Sequence, residues 1–254
     1  MLSTGTEPAT ATFPGPVTPV VRDTARFSRA RHSHPAAQLI YAISGVASVT
    51  TDAGTWVVPP NRAVWVPAGV EHATRSYGPI KFRAIFVAPG SDAQLPLQCR
   101  VVEVSPLLRE LIRRLAELPN DRKSRKFAER IAYLLLDELS FLPTQPVNLP
   151  TPNDARLACL CAEFQANPDH DLSIEIAASR IGVSRSTLMR LFRQETGMSF
   201  GRWCQQARML NALGLLAEGR SVLNVALDCG YQSPSAFAAV FRRTLGKTPR
   251  EYFR

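Results

Sequence analysis

A chain of 254 residues, 45% hydrophobic and 20% charged, has the composition of a globular protein and exceeds one ordinary domain of ~100–150 residues. Its 30 basic and 21 acidic residues leave a net charge of +9, which favours a polyanionic partner, either nucleic acid or an anionic membrane surface. The five cysteines (Cys99, Cys159, Cys161, Cys204, Cys229) are odd in number and scattered through apolar contexts, which argues against a disulfide framework and for buried free thiols in a reducing cytosol.

Residues 1–24 are rich in Thr, Ala and Pro, with Pro8, Pro14, Pro16 and Pro19, and lack the basic-then-apolar order of a signal peptide, so a loose tail is expected. Nowhere does a continuous apolar stretch reach the ~18 residues a membrane helix needs. A cytoplasmic protein without a membrane partner is therefore expected.

Residues 25–104 read as β structure. Gln38–Ile43, Val46–Thr51, Thr55–Val58, Ala63–Val66 and Lys81–Val87 are strand-like, and Ser44-Gly45, Asp52-Ala-Gly54, Pro59-Pro-Asn61, Pro67-Ala-Gly69 and Gly78-Pro79 supply turns between them. Many short strands with close turns predict a sandwich or barrel. Between 105 and 142 the period changes. Leu108, Leu111, Ile112 and Leu115, then Phe127, Ile131, Leu134, Leu135 and Leu139, mark two amphipathic helices joined by the polar 119–124 segment. They form a hairpin that packs on the barrel or on a second copy of the chain. Residues 143–153 hold Pro143, Pro146, Pro150 and Pro152 and read as an extended interdomain linker. His170 falls in a later helix-linking loop, where it faces solvent.

From 154 to 254 the text is helical. Ser173 caps a helix that ends at Gly182-Val183, and Ser184 caps the next; the pattern returns with 222–229, Gly230-Tyr231 and a helix from Ser233 to Thr244. These are two helix-turn-helix units, with second helices at about 184–195 and 233–244. Leu188, Leu191 and Phe192 point inward in the first, leaving Arg185, Ser186, Met189, Arg190 and Arg193 for a major groove. In the second, Phe237, Val240 and Phe241 pack inward. Its groove face is Ser233, Pro234, Ser235, Ala236, Ala238 and Ala239, with Arg242 and Arg243 near phosphates. Small residues there suit thymine-methyl contact and offer few hydrogen bonds, so the first unit carries more of the base reading. Residues 180–254 hold 12 Arg and Lys against Glu195, Glu218, Asp228 and Glu251, so this segment carries +8 of the net +9. Residues 200–218 form a connecting helix of ~27 Å, against ~34 Å between successive major grooves on one DNA face.

The run Gly230-Tyr231-x-Ser233-x-Ser235-x-Phe237-x-x-x-Phe241-Arg242-x-x-x-Gly246-x-Thr248-Pro249-x-x-Tyr252, with Gly182-Val183-Ser184, Leu188, Arg190-Leu191-Phe192 and Glu195-Thr196-Gly197, resembles the C-terminal signature of AraC/XylS regulators. The resemblance covers residues 155–254. It implies double-stranded DNA as partner, and RNA polymerase as well if the output is activation. Carried over by position, it makes Ser186, Met189 and Arg190 base-facing.

His32-Ser-His34-x-x-x-Gln38 and Pro67-Ala-Gly69-Val-Glu-His72 resemble the two cupin motifs, in which histidines and a Glu hold a divalent metal inside the barrel. On a strand, positions 32, 34 and 38 share one face. Gln38 stands where the family has Glu, which removes the anionic ligand. Two readings stand: the residues line a polar cavity for a small-molecule effector, or they hold Ni, Zn or Fe. No cofactor is certain from the sequence. Tyr41, Trp65 and Arg83 are expected to wall an effector pocket together with Trp56, Phe82 and Phe86.

The chain is thus expected to be α+β: a cupin-like barrel with a helical hairpin, then an all-α domain with two helix-turn-helix units. A ligand-responsive regulator, with a homodimer as one option, is the leading function. A cupin enzyme such as a dioxygenase is the alternative; Gln38 and the lack of a clear general base weigh against it.

Overall fold

The computed structural model describes residues 15–91, 95–119, 121–142, 148–168 and 172–252. The expected tail up to residue 14, residues 143–147 of the expected linker and the His170 loop lie outside the described residues. The chain forms two compact units, one of Met1–Thr51 with Val58–Gln145 and one of Asp52–Val57 with Pro146–Arg254.

The first unit contains β1 (Val17–Thr24), β2 (Ser28–His32), β3 (Ala37–Ser44), β4 (Ala47–Thr51), β6 (Arg62–Val66), β7 (His72–Ser76), β8 (Ile80–Val87), β9 (Arg100–Glu103) and β10 (Ser140–Leu142); β5 (Gly54–Val58) is taken up below. Its strands lie in two sheets and do not close on themselves. One has the order β1-β8-β3-β6-β9-β10, and the other holds β4, β7 and β2 as successive neighbours. The expected tail gives way to β1, paired with β8 from Val17↔Val87 to Thr24↔Ile80. Its valines suit a pleated surface, and Pro19 is tolerated because β1 is the sheet's edge.

Strand parity divides the larger sheet into two faces. Leu39, Tyr41, Ala63, Trp65, Ile85, Val87 and Val102 form one core with the apolar stripes of α1 (Pro106–Glu117) and α2 (Arg122–Asp137). The helical hairpin therefore packs on the sheet, through Leu108, Ile112, Leu115, Ala132, Leu135 and their neighbours. The opposite face carries Gln38, Ile40, Ala42, Val64, Val66, Phe82, Ala84 and Phe86, all buried. Complete desolvation of aromatic and branched side chains on both faces is the main stabilising term, at about 1.5–3 kcal/mol for each large side chain.

The second unit contains β11 (Asn148–Pro150), antiparallel to β5, and helices α3 (Ala155–Ala166), α4 (Ile174–Arg180), α5 (Arg185–Thr196), α6 (Phe200–Ala217), α7 (Val222–Asp228), α8 (Pro234–Leu245) and α9 (Pro249–Tyr252). Its core is aromatic: Phe192 meets Phe200 and Trp203 edge-on, and Phe237 and Phe241 pack with Tyr231 and Tyr252. Among the described residues, no helix is long and apolar enough to cross a membrane.

Candidate functional site

Both helix-turn-helix units use the same backbone device. At the end of α4, Gly182 adopts φ +70°, its N–H donates to Ser179 O at 3.1 Å, and Val183 N–H donates to Ala178 O at 3.0 Å. At the end of α7, Gly230 adopts φ +77°, its N–H donates to Leu227 O at 2.9 Å, and Tyr231 N–H donates to Ala226 O at 2.9 Å. This paired bonding satisfies the last carbonyls of each helix and needs a left-handed residue, which glycine adopts without steric cost. The next helices then start on serine caps. Ser184 Oγ accepts from Thr187 N–H and Ser233 Oγ from Ala236 N–H, both at 3.2 Å. Geometry repeated to this degree fixes the angle at which α5 and α8 leave their turns.

On α5, Leu188 and Phe192 are fully buried, while Arg185, Ser186, Met189, Arg190 and Arg193 are exposed, so the expected reading face is the outer one. Arg185 is engaged at 3.3 Å with Glu175 of α4. On α8, Phe237 and Phe241 are buried and Pro234, Ser235, Ala236, Ala239, Arg242 and Arg243 are exposed; Ser233 and Ala238 are half-buried. The side chains on the two outer faces differ in kind: arginine, serine and methionine on α5, alanine on the middle of α8.

The histidines converge by another route than even spacing on one strand. His32 ends β2, Gln38 lies in β3 of the other sheet, and His34 sits between, beside Pro35, which has no N–H to continue a ladder. His72 enters from β7, directly opposite His32. The ring centroids of His72 lie 4.4 Å from His32 and 5.1 Å from His34. Each Nδ1 faces a backbone carbonyl: His32 to Ala30 at 2.9 Å, His34 to Ala36 at 2.5 Å, His72 to Val70 at 2.9 Å. A carbonyl only accepts, so each Nδ1 carries a proton, and in the neutral form of such a ring Nε2 keeps its lone pair.

Gln38 Oε1 lies 3.3 Å from His34 Nε2 and 3.2 Å from His72 Nε2. Oxygen and bare imidazole nitrogen both accept, so the contact becomes favourable when the amide turns its NH2 inward or a cation sits among them. The ligand-capable atoms of His32, His34 and His72 all lie within 4.8 Å of one another. Burial, opposed by the Val70 carbonyl and reinforced by the neighbouring histidines, holds the His72 pKa down to about 4, which keeps the ring neutral. A neutral imidazole held by a backbone acceptor is the form that binds a divalent ion, so the donor set fits one.

Tyr41, Trp65 and Arg83 do not join this cluster. Phe86, whose ring lies 4.9 Å from that of His34, marks the histidine face of the sheet. The odd-numbered residues of β3 and β8 point to the other side, where Tyr41 and Trp65 belong to the core beneath α1 and α2. Tyr41 OH donates to Pro60 O at 3.0 Å, Trp65 Nε1–H to Pro96 O at 2.9 Å, and Arg83 pairs with Asp23 at 2.5 Å. The residues that do share the histidine face on the neighbouring strand include Thr18, opposite Phe86, whose hydroxyl is buried with no hydrogen-bond partner among the described residues. Strand parity read from Gln38 outward would have selected Phe82 and Phe86 and rejected Tyr41. Thr18 was hidden because β1 itself reads as a tail.

Known proteins bear on both units. The AraC-like ligand binding domain family matches residues 14–136, and a helix-turn-helix domain family matches residues 177–254. The HTH-type transcriptional regulator NimR of Escherichia coli K12 is 34% identical over 221 residues, covering 87% of this chain and 81% of that one. The regulatory protein SoxS of the same organism is 35% identical over 94 residues, 37% of this chain and 88% of SoxS. Among solved structures, the DNA-binding domain of AdpA in complex with a target DNA is 36% identical over 38% of this chain and 87% of that one, with a TM-score of 0.36. An N-terminal ligand-binding domain joined to paired helix-turn-helix units, with a regulator of the same kind matched over most of both lengths, places this chain in the AraC family of DNA-binding transcription regulators, which are not enzymes.

Proposed function

We propose that the chain is a sequence-specific regulator in which α5 and α8 enter successive major grooves of double-stranded DNA and the first unit senses a small molecule or a divalent metal. The observation that carries the DNA reading is the repeated capped geometry of the two turns, with Arg190 and Arg193 exposed on the outer face of α5. On this reading Arg185, Ser186, Met189, Arg190 and Arg193 contact bases and phosphates, and Ser233, Pro234, Ser235, Ala236, Ala238 and Ala239 lie close to the groove floor. Arg242 and Arg243 neutralise phosphate charge, and α8 is chiefly an anchor.

His32, His34, Gln38 and His72 are the sensing group. Three bare Nε2 atoms and one amide oxygen suit Ni, Zn or Fe, and equally suit a ligand that donates hydrogen bonds. A bound ion would supply a fixed positive charge and a Lewis-acid contact for an effector. Leu107, Phe127, Tyr133 and Leu134 stay exposed on the α1–α2 hairpin, which supports a homodimer through that face. RNA polymerase is a partner if the output is activation.

Selection of duplexes from a random pool by the full chain tests the DNA reading. Enrichment of a site with two short conserved boxes about one helical turn apart is expected, and a pool that stays random would overturn it. Elemental analysis and calorimetric titration of the wild-type and His34→Ala/His72→Ala chains with Zn²⁺ test the sensing group. An identical response from both chains would remove the histidines from the mechanism.

A further inference from the structure

β11 is clasped on both sides within the second unit. On one side β5 pairs with it, Asn148↔Trp56, Leu149↔Thr55 and Pro150↔Gly54, and Thr151 N–H donates to Ala53 O at 3.3 Å. On the other, α6 supplies two buried donors: Trp203 Nε1–H to Pro150 O at 2.9 Å and Gln206 Nε2 to Asn148 O. Gly54 adopts φ +148°, and a Cβ there would run into the Leu149 carbonyl oxygen. The pairing therefore depends on the absence of a side chain at that one position.

Trp203 continues the series. Its ring meets Phe192 at 5.9 Å and 81°, and Phe192 is a fully buried residue on the inner face of α5, whose outer face presents Arg190. Packed contacts thus run from β5 through β11 and Trp203 to the first recognition helix. α8 is built differently, around Tyr231, Phe237, Phe241 and Tyr252. The β5 segment is also covalently continuous with the first unit at both ends, through Thr51 and Val58. A pull on either end reaches β11 by chain connectivity alone. Asn148 Oδ1 is buried with no hydrogen-bond partner among the described residues, so release of the strand would recover hydration for that group. A short strand held by few bonds belongs to the low-stability end of a fold, where two arrangements are accessible.

We infer that the β5–β11 pair and Trp203 set the pose of α5, making Gly54 and Trp203 positioning residues for DNA reading by the first helix-turn-helix unit and the route by which the first unit's state reaches it. This rests on α5 being a recognition helix, as proposed above. It is tested on the full chain, comparing wild type with Gly54→Val and with Trp203→Phe, which keeps an aromatic ring and loses the Nε1–H donor. Amide hydrogen exchange and affinity for the duplex selected by wild type are measured together.

Gly54→Val is expected to speed exchange about tenfold or more at Leu149 and in α5, to leave β3, β8 and α8 unchanged, and to weaken binding of the selected duplex at least about fivefold. Trp203→Phe should move the same quantities in the same direction by less. Faster exchange in β11 with α5 and affinity within about twofold of wild type would overturn the inference, as would equal loosening of α8, the mark of a general loss of stability. Should Gly54→Val lose protection in β3 and β8 and so fail to fold, Trp203→Phe decides alone. A wild-type chain that selects no duplex would refute DNA reading, while the exchange measurements still decide whether β11 holds α5.

Discussion

Arg190 stands exposed two residues from each of the fully buried Leu188 and Phe192, on the opposite face of α5, so its guanidinium reaches outward without disturbing the core that orients it. Replacement by alanine is expected to weaken binding of the selected duplex by about 1–3 kcal/mol and to relax preference at one base position; a uniform loss across sequences would mark a phosphate contact instead. Cysteine chemistry offers a second check at this scale. Cys159 is exposed, whereas Cys161, Cys204 and Cys229 are buried, and burial pushes the Cys204 thiol up to about 12 and the half-buried Cys99 thiol up to about 11. Thiolate is the reactive form, so a colorimetric thiol reagent at pH 8 should modify Cys159 quickly, Cys99 slowly and the buried three only on unfolding. Rapid reaction of two or more thiols in the Cys159→Ser chain would contradict this burial pattern. Sequence alone read all five as buried from their apolar contexts, whereas the stripe of Leu157, Leu160, Cys161 and Phe164 places Cys159, about 200° round the helix from Cys161, on the outer face of α3.

At the level of elements, the helices of the second unit were legible because caps and stops are local chemistry. Ser173, Ser184, Ser199, Ser221 and Ser233 each cap a helix by accepting an N–H three residues on. Ser184→Ala should destabilise the second unit by about 1 kcal/mol, read as a lower melting temperature. Gly182→Ala should cost about 1–2 kcal/mol, because its φ of +70° strains any L side chain although a Cβ would meet no atom within 4 Å. Asparagine at 182, more tolerant of that conformation, should recover part of the loss; equal stability of all three chains would show that the turn is not left-handed. Strands were less legible. β2 carries half-buried Arg29 and exposed Arg31 with no fully buried position, β7 carries exposed Arg75 between buried Thr74 and Ser76, and their short alternations are hidden among turn residues. Pairing with partners distant in sequence is what makes them strands.

Across the whole molecule, the basic excess of residues 180–254 predicts binding that weakens steeply with salt. Engagement of about 6–10 phosphates would lower affinity about 10³–10⁵-fold between 50 and 200 mM salt, and a salt-insensitive affinity would contradict a phosphate-anchored mode. The sequence by itself determined the class of each half, the turn glycines, the capping Ser173 and Ser184, the inner and outer faces of α5 and α8, and the residues of the histidine cluster, all of which depend on local periodicity, capping or motif. Only the tertiary structure decided how the histidines meet, with His32 and Gln38 delivered from different sheets, and which face of the larger sheet they share. It moved Tyr41 and Trp65 to the core beneath the helices, turned Val17–Thr24 into an edge strand, and made a paired strand of residues 148–150. The reason is the same in each case. A helix closes its hydrogen bonds within a few residues, whereas a strand's partner, its register and therefore the side its odd residues face are set by backbone groups far away in the chain.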